Sequence, residues 1–260
     1  MPRYFLEICY RGTIFNGFQI QNNSKTIQGE IEKGLSIIFK QIISTTTASR
    51  TDTGVHAHQN YLHFDIDKEV TQKNLYNLNA ILDRDIVVRN IHQTNDDAHS
   101  RFDATSREYT YYIIHERNPF LNDTSYYFPF QISIGRLNEA AKILIENKDF
   151  SSFAKRHSDV NNFNCKLMKA FWTMNEKNQL VFKVTSNRFL RGMVRALVAT
   201  QLLVGRGKVT MQDFIQIIDA KDCTKADFSA PANGLFLVKV NYPANQFIHS
   251  IPHINNSFAE

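Results

Sequence analysis

Cysteine is scarce in this 260-residue sequence. Cys9, Cys165 and Cys223 are far apart, odd in number and never arranged as CxxC, which excludes a disulfide framework or a thiolate zinc site and fits a reducing cytoplasm. Long apolar runs are missing too. No stretch approaches the roughly eighteen consecutive apolar residues that a membrane span needs, and the opening MPRYFLEICYRG has no signal-peptide core. A soluble, unexported, cytoplasmic protein is expected. The charge balance excludes little: 30 Lys and Arg against 25 Asp and Glu leave +5, which favours polyanionic partners without demanding one. The length suffices for one large domain or two small ones.

What is there reads as alternating strands and helices. Tyr4, Leu6, Ile8 and Tyr10 recur with period two, as in a strand, and Ile27, Ile31, Leu35 and Ile38 recur at helical spacing behind a capping Ser24 or Thr26. NYLHFDI is a strand, Leu75 to Leu82 a helix, and DIVVRNI a strand. The polar run HQTNDDAHS from His92 to Ser100 is the best boundary, giving an N-terminal half over 1–98 and a C-terminal half over 99–260. The second half offers REYTYYII, a helix from Leu137 to Ile145, QLVFKVT, and a long helix from Phe189 to Val204. A helix from Met211 to Ile218, capped by Thr210 with Asp213, and the closing strand GLFLVKV follow. The order predicts an α+β fold, with helices on one face of largely antiparallel sheet.

SRTDTGVHAHQN, Ser49 to Asn60, pulls toward two chemistries. Asp52-Thr53-Gly54 is the aspartic-protease tripeptide, but such a site needs two carboxylates sharing a proton, and DTG occurs once. The adjoining Arg50 holds Asp52 ionised, the opposite state. His56 and His58 are spaced for one side of a strand, yet neither HExxH nor a cysteine cluster accompanies them. No metal site is expected. Asp52 is then either a turn residue capping local N–H groups or an ionised nucleophile held by a positive charge.

Thr185 to Lys208 carries five basic residues and no acidic one. Arg188, Arg191 and Arg195 are spaced to share one helix face, opposite Met193, Val194, Leu197, Val198 and Leu202. Arg195 lies deep among apolar neighbours, and a buried guanidinium calls for a carboxylate; Asp52 is the candidate. In REYTYYII, alternation puts Tyr109 and Tyr111 on one face and Tyr112 on the other. Strand tyrosines mostly pack, but one beside Asp52 and Arg195 has the shape to stack on a flipped base.

RTDTGVHA, Arg50 to Ala57, resembles the R-T-D-A-G-V-H-A signature of the tRNA pseudouridine synthase A family. YRGTIFNGFQIQ, RFDATSREYTYYI, FLRGMVRALVATQLLVGRGK and FSAPANGLFLVKVNYP are similar, in the same order, to its opening Y-D-G-T-x-F-x-G-W-Q-x-Q, its R-F-D-A-T-S-R-x-Y-x-Y, its F-L-x-x-M-V-R helix and its closing A-P-A-x-G-L-x-L. The resemblance implies the pseudouridine synthase fold, two α+β halves around a basic cleft, and a homodimer without metal or organic cofactor. It implies isomerisation of uridine at positions 38, 39 and 40 of the tRNA anticodon stem-loop. By position, Asp52 matches the catalytic aspartate, Arg195 its arginine partner, Tyr109 the tyrosine at the target base, and Arg50 an arginine expected on RNA. Under it, His56 and His58 are loop structure or RNA contacts. Ser49, Thr53, Arg11, Phe18, Arg191-Gly192 and Ala196 depart from the usual family residues; none replaces a residue matched to the chemistry.

Overall fold

The computed structural model describes residues 1–156, 160 and 162–252, in two compact units. One comprises Met1–Thr105 with the chain from Lys239 onward, the other Ser106–Val238. The units do not follow the halves of the chain, because its last segment returns to the first.

The first unit opens on β1 (Arg3–Tyr10), then α1 (Ile27–Phe39), β2 (Thr46–Thr47), β3 (His56–Asp65), α2 (Gln72–Ile81) and β4 (Ile86–Thr94). β1 pairs antiparallel with both β3 and β4, and β2 pairs with β3. α1 starts where Thr26 Oγ1 accepts the Gly29 N–H, and buries Ile27, Ile31, Leu35 and Phe39; the Phe39 ring meets Phe64 of β3, which stacks on Tyr4 of β1. β4 runs on through His92 to Thr94, so the polar run expected to be a boundary begins as strand. Its polarity has a local reason: His92 accepts no apolar role but bonds Ser250 and Glu7.

The second unit holds β5 (Ser106–Ile114), β6 (Tyr126–Tyr127), α3 (Ile134–Glu146), β7 (Leu167–Met174), β8 (Leu180–Ser186), α4 (Met193–Gly205), α5 (Met211–Asp219) and the first residues of β9 (Leu235–Asn241). β8 lies antiparallel between β5 and β7, and β6 is parallel to β5. One row, Tyr111–Phe182–Trp172, crosses the three strands beneath α4, where the Trp172 indole N–H donates to Gln201 Oε1 at 3.0 Å. α4 is buried nearly all round, Thr200 and Gln201 included. The expected basic face is therefore not a helix face: Gly192, at φ +72°, stops the chain being helical before Met193, and Arg188 and Arg191 precede the helix. α5 has the anticipated capping box of Thr210 and Asp213.

The chain then returns to the first unit, where β10 (His249–Pro252) pairs with β4. Tyr242 and Phe247 cover Phe5 from this segment, so the second face of β1 is buried as well. No helix among the described residues is long and apolar enough to cross a membrane.

Candidate active site

In the first unit Asp52 opens a tight turn. The Val55 N–H donates to the Asp52 carbonyl at 3.1 Å, and Gly54, third of the four residues, has φ +81°, a conformation that suits glycine in a type II turn. Asp52 is half-buried, Arg50 and Thr53 are exposed, and Thr51 is buried. The sequence thus supplies both the bend and a carboxylate reachable from solvent at its start.

The walls of this turn come from distant segments. The Phe18 N–H donates to the Thr51 carbonyl at 3.0 Å. Gly12 lies so close that a side chain there would place its Cβ 2.0 Å from the Val55 carbonyl oxygen. The Gly12 N–H donates to His56 Nδ1 at 3.1 Å, and His56 is 1% exposed. With Nδ1 accepting, a neutral ring carries its proton on Nε2, so this imidazole is part of the loop's structure, one of the roles anticipated for it. His58 is exposed as a residue, and partial burial, then the charge of Arg89, lowers its pKa. Among the described residues no group of three or more His, Cys, Asp or Glu is placed to hold a metal.

The second unit holds the other two predicted residues. Tyr109 is buried on β5, opposite Val184, with its ring edge-on to Phe189 at 5.0 Å. Tyr111, two residues on and on the same face, is fully buried and donates its hydroxyl to the Pro231 carbonyl at 2.7 Å. Arg195, on the first turn of α4, is half-buried and donates Nε–H to the Ala230 carbonyl at 2.6 Å. Burial, moderated by the Arg195 charge, holds the Tyr111 hydroxyl protonated far above its ordinary range. Arg195 and Tyr111 therefore converge on two successive carbonyls of the SAPANG segment.

A pseudouridine synthase family model, described as tRNA pseudouridine synthase, matches residues 140–243. The chain is 43% identical over 249 residues to tRNA pseudouridine synthase A of Parabacteroides distasonis, covering 95% of this chain and 98% of that one. Identity to the Bacteroides fragilis protein of the same name is 42%, over 95% and 99% of the two chains. For the more divergent Anoxybacillus flavithermus protein it is 36%, over 93% and 99%. The chain belongs to the tRNA pseudouridine synthase family.

Family membership agrees with the α+β architecture and with the motifs RTDTGVHA and RFDATSREYTYYI read from the sequence. As a pseudouridine synthase it places Asp52 and Arg50 in one unit and Tyr109 and Arg195 in the other. Sequence reasoning missed the side chains that hold the Asp52 turn, Tyr10, Thr51 and Asn60, and the carbonyls of Ala230 and Pro231. A signal existed for one of them: Asn60 is an amide in the middle of a strand, followed by Tyr61 and Leu62.

Proposed function

We propose that the protein isomerises uridine to pseudouridine at positions 38, 39 and 40 of the tRNA anticodon stem-loop, with Asp52 as nucleophile. The observation that carries this reading is a half-buried carboxylate at the start of a closely held turn, beside an exposed arginine, within the family's own motif. Residues 1–98 supply the Asp52 loop, and 99–260 supply the Tyr109 strand and the Arg195 helix.

The reaction breaks the N1–C1′ bond of the uridine, turns the uracil, and forms a C5–C1′ bond; N1 gains a proton and C5 loses one. Nothing is oxidised, so no redox cofactor is called for, and the family resemblance implies a reaction without metal or organic cofactor. The Asp52 carboxylate supplies the electron pair, and Arg195 is its proposed charge partner. A stacked base is out of reach of a carboxylate, so the target nucleotide must leave the stem, with Tyr109 against the extruded ring and Arg50 on the RNA backbone. The narrow A-form major groove leaves shape and phosphates as the main recognition elements, and the net positive charge suits them. The working form is a cytoplasmic homodimer.

The test is tritium release from tRNA labelled at uridine C5, with chelator present, for wild type and Asp52→Ala. Release by wild type alone, with tRNA binding retained by the variant, is expected. Release by Asp52→Ala at the wild-type rate would remove this carboxylate from the mechanism.

A further inference from the structure

Tyr10 and Asn60 carry buried polar groups on strands: Tyr10 ends β1 at 5% exposure, and Asn60 lies within β3 at 0%. A buried hydroxyl or amide destabilises unless hydrogen bonds offset its lost hydration, so their partners show what they are for. The Tyr10 and Thr51 hydroxyls share a hydrogen bond of 2.8 Å. Asn60 Nδ2 donates to the Ser49 carbonyl at 2.8 Å, with the Tyr10 hydroxyl at 3.5 Å. Asn60 Oδ1 accepts the Tyr61 N–H. Both side chains thus reach the segment entering Asp52, one and three residues before it. The Phe18 N–H fixes the same segment at the Thr51 carbonyl, and the Phe18 ring packs 5.9 Å from that of Tyr10.

We infer that Tyr10 and Asn60 are positioning residues: acting through Thr51 and Ser49, they set where the Asp52 carboxylate stands relative to the sheet. The inference rests on the reading of Asp52 as nucleophile. Its physical content is that a carboxylate must meet its target within a few tenths of an ångström, and a turn held only by its own backbone bond leaves more freedom than that. The strands, the most rigid elements nearby, supply the restraint through polar side chains that packing alone does not require.

The test compares single-turnover rates of Tyr10→Phe, Thr51→Val and their double variant on anticodon stem-loop tRNA. Each single change removes one end of the same hydrogen bond while keeping side-chain shape. The expected result is a rate lowered about tenfold or more, with tRNA affinity close to wild type and the protein still fully folded under the assay conditions, although each single variant leaves its partner hydroxyl unpaired and lowers the urea midpoint. The double variant is expected to be no slower than the slower single one, since both remove one bond, and Thr51→Ser, which keeps the hydroxyl, to recover most of the rate. Wild-type rates in both single variants, or losses that follow tRNA affinity or the folded fraction, would overturn the inference. Asp52→Ala run alongside separates the two claims: turnover in that variant removes the nucleophile reading, whereas a dead Asp52→Ala with fully active Tyr10→Phe and Thr51→Val removes only the positioning role.

Discussion

Replacing Glu7 with glutamine tests a carboxylate that stabilises the first unit without touching the chemistry. Its side chain is 12% exposed on β1, faced by His92 Nε2 at 3.3 Å, and it accepts hydrogen bonds from Gln59 at 2.9 Å and Asn90 at 2.6 Å. Burial alone would raise its pKa; the bonds from His92, Gln59 and Asn90 outweigh burial and bring it from 4.5 down to about 2. Because the folded value lies below the unfolded one, the stabilisation is fully present above the unfolded pKa and disappears as pH falls toward 2. Linkage over that interval amounts to about 3 kcal/mol, of which about 1 kcal/mol is gone by pH 4 and about 2 kcal/mol by pH 3. Urea unfolding of wild type and Glu7→Gln at constant ionic strength, from pH 6 to pH 3, reads this directly. The variant is expected to be less stable at pH 6, where its amide faces two donors, and the gap to narrow by about 2 kcal/mol at pH 3. Parallel curves for the two proteins would refute the assignment of a buried, ionised Glu7.

Gly12→Ala drives a Cβ into the Val55 backbone, which no rotamer relieves; a loss of about 3 kcal/mol or more in urea, together with lost turnover, is expected, and an unchanged midpoint would contradict the close approach. Trp172→Phe removes the donor to the buried Gln201 Oε1 and leaves space beneath α4; about 3 kcal/mol of destabilisation is expected by chemical denaturation. Arg195→Met deletes the bond to the Ala230 carbonyl and the proposed partner of Asp52, so the single-turnover rate on tRNA should fall; a wild-type rate would show that the two are not paired.

Much of this protein is written locally. Alternation in β1 and β8, the cap at Thr26, the Thr210–Asp213 box and the glycine of the DTG turn each need only a few neighbouring residues, and all stand where the sequence predicts them. β7 escaped because a register shift between Leu167 and Lys169 sets two residues against one and breaks the period that marks a strand. The helix expected from Phe189 begins four residues later, at Met193, because apolar spacing continues through Phe189 and Leu190 while Gly192 turns the backbone out of the helix.

The candidate site divides the same way. Residue identities alone pointed to Asp52, Arg50, Tyr109 and Arg195, since an ordered set of motifs survives without knowledge of any contact. Only the tertiary structure showed that Arg195 and Tyr111 meet the carbonyls of Ala230 and Pro231, and that Tyr10 and Asn60 reach the turn from separate strands. Those partners lie from 11 to 120 residues apart, and a hydrogen bond between them depends on strand register and bulges, which are set by the packing of the whole unit rather than by any short stretch of chain.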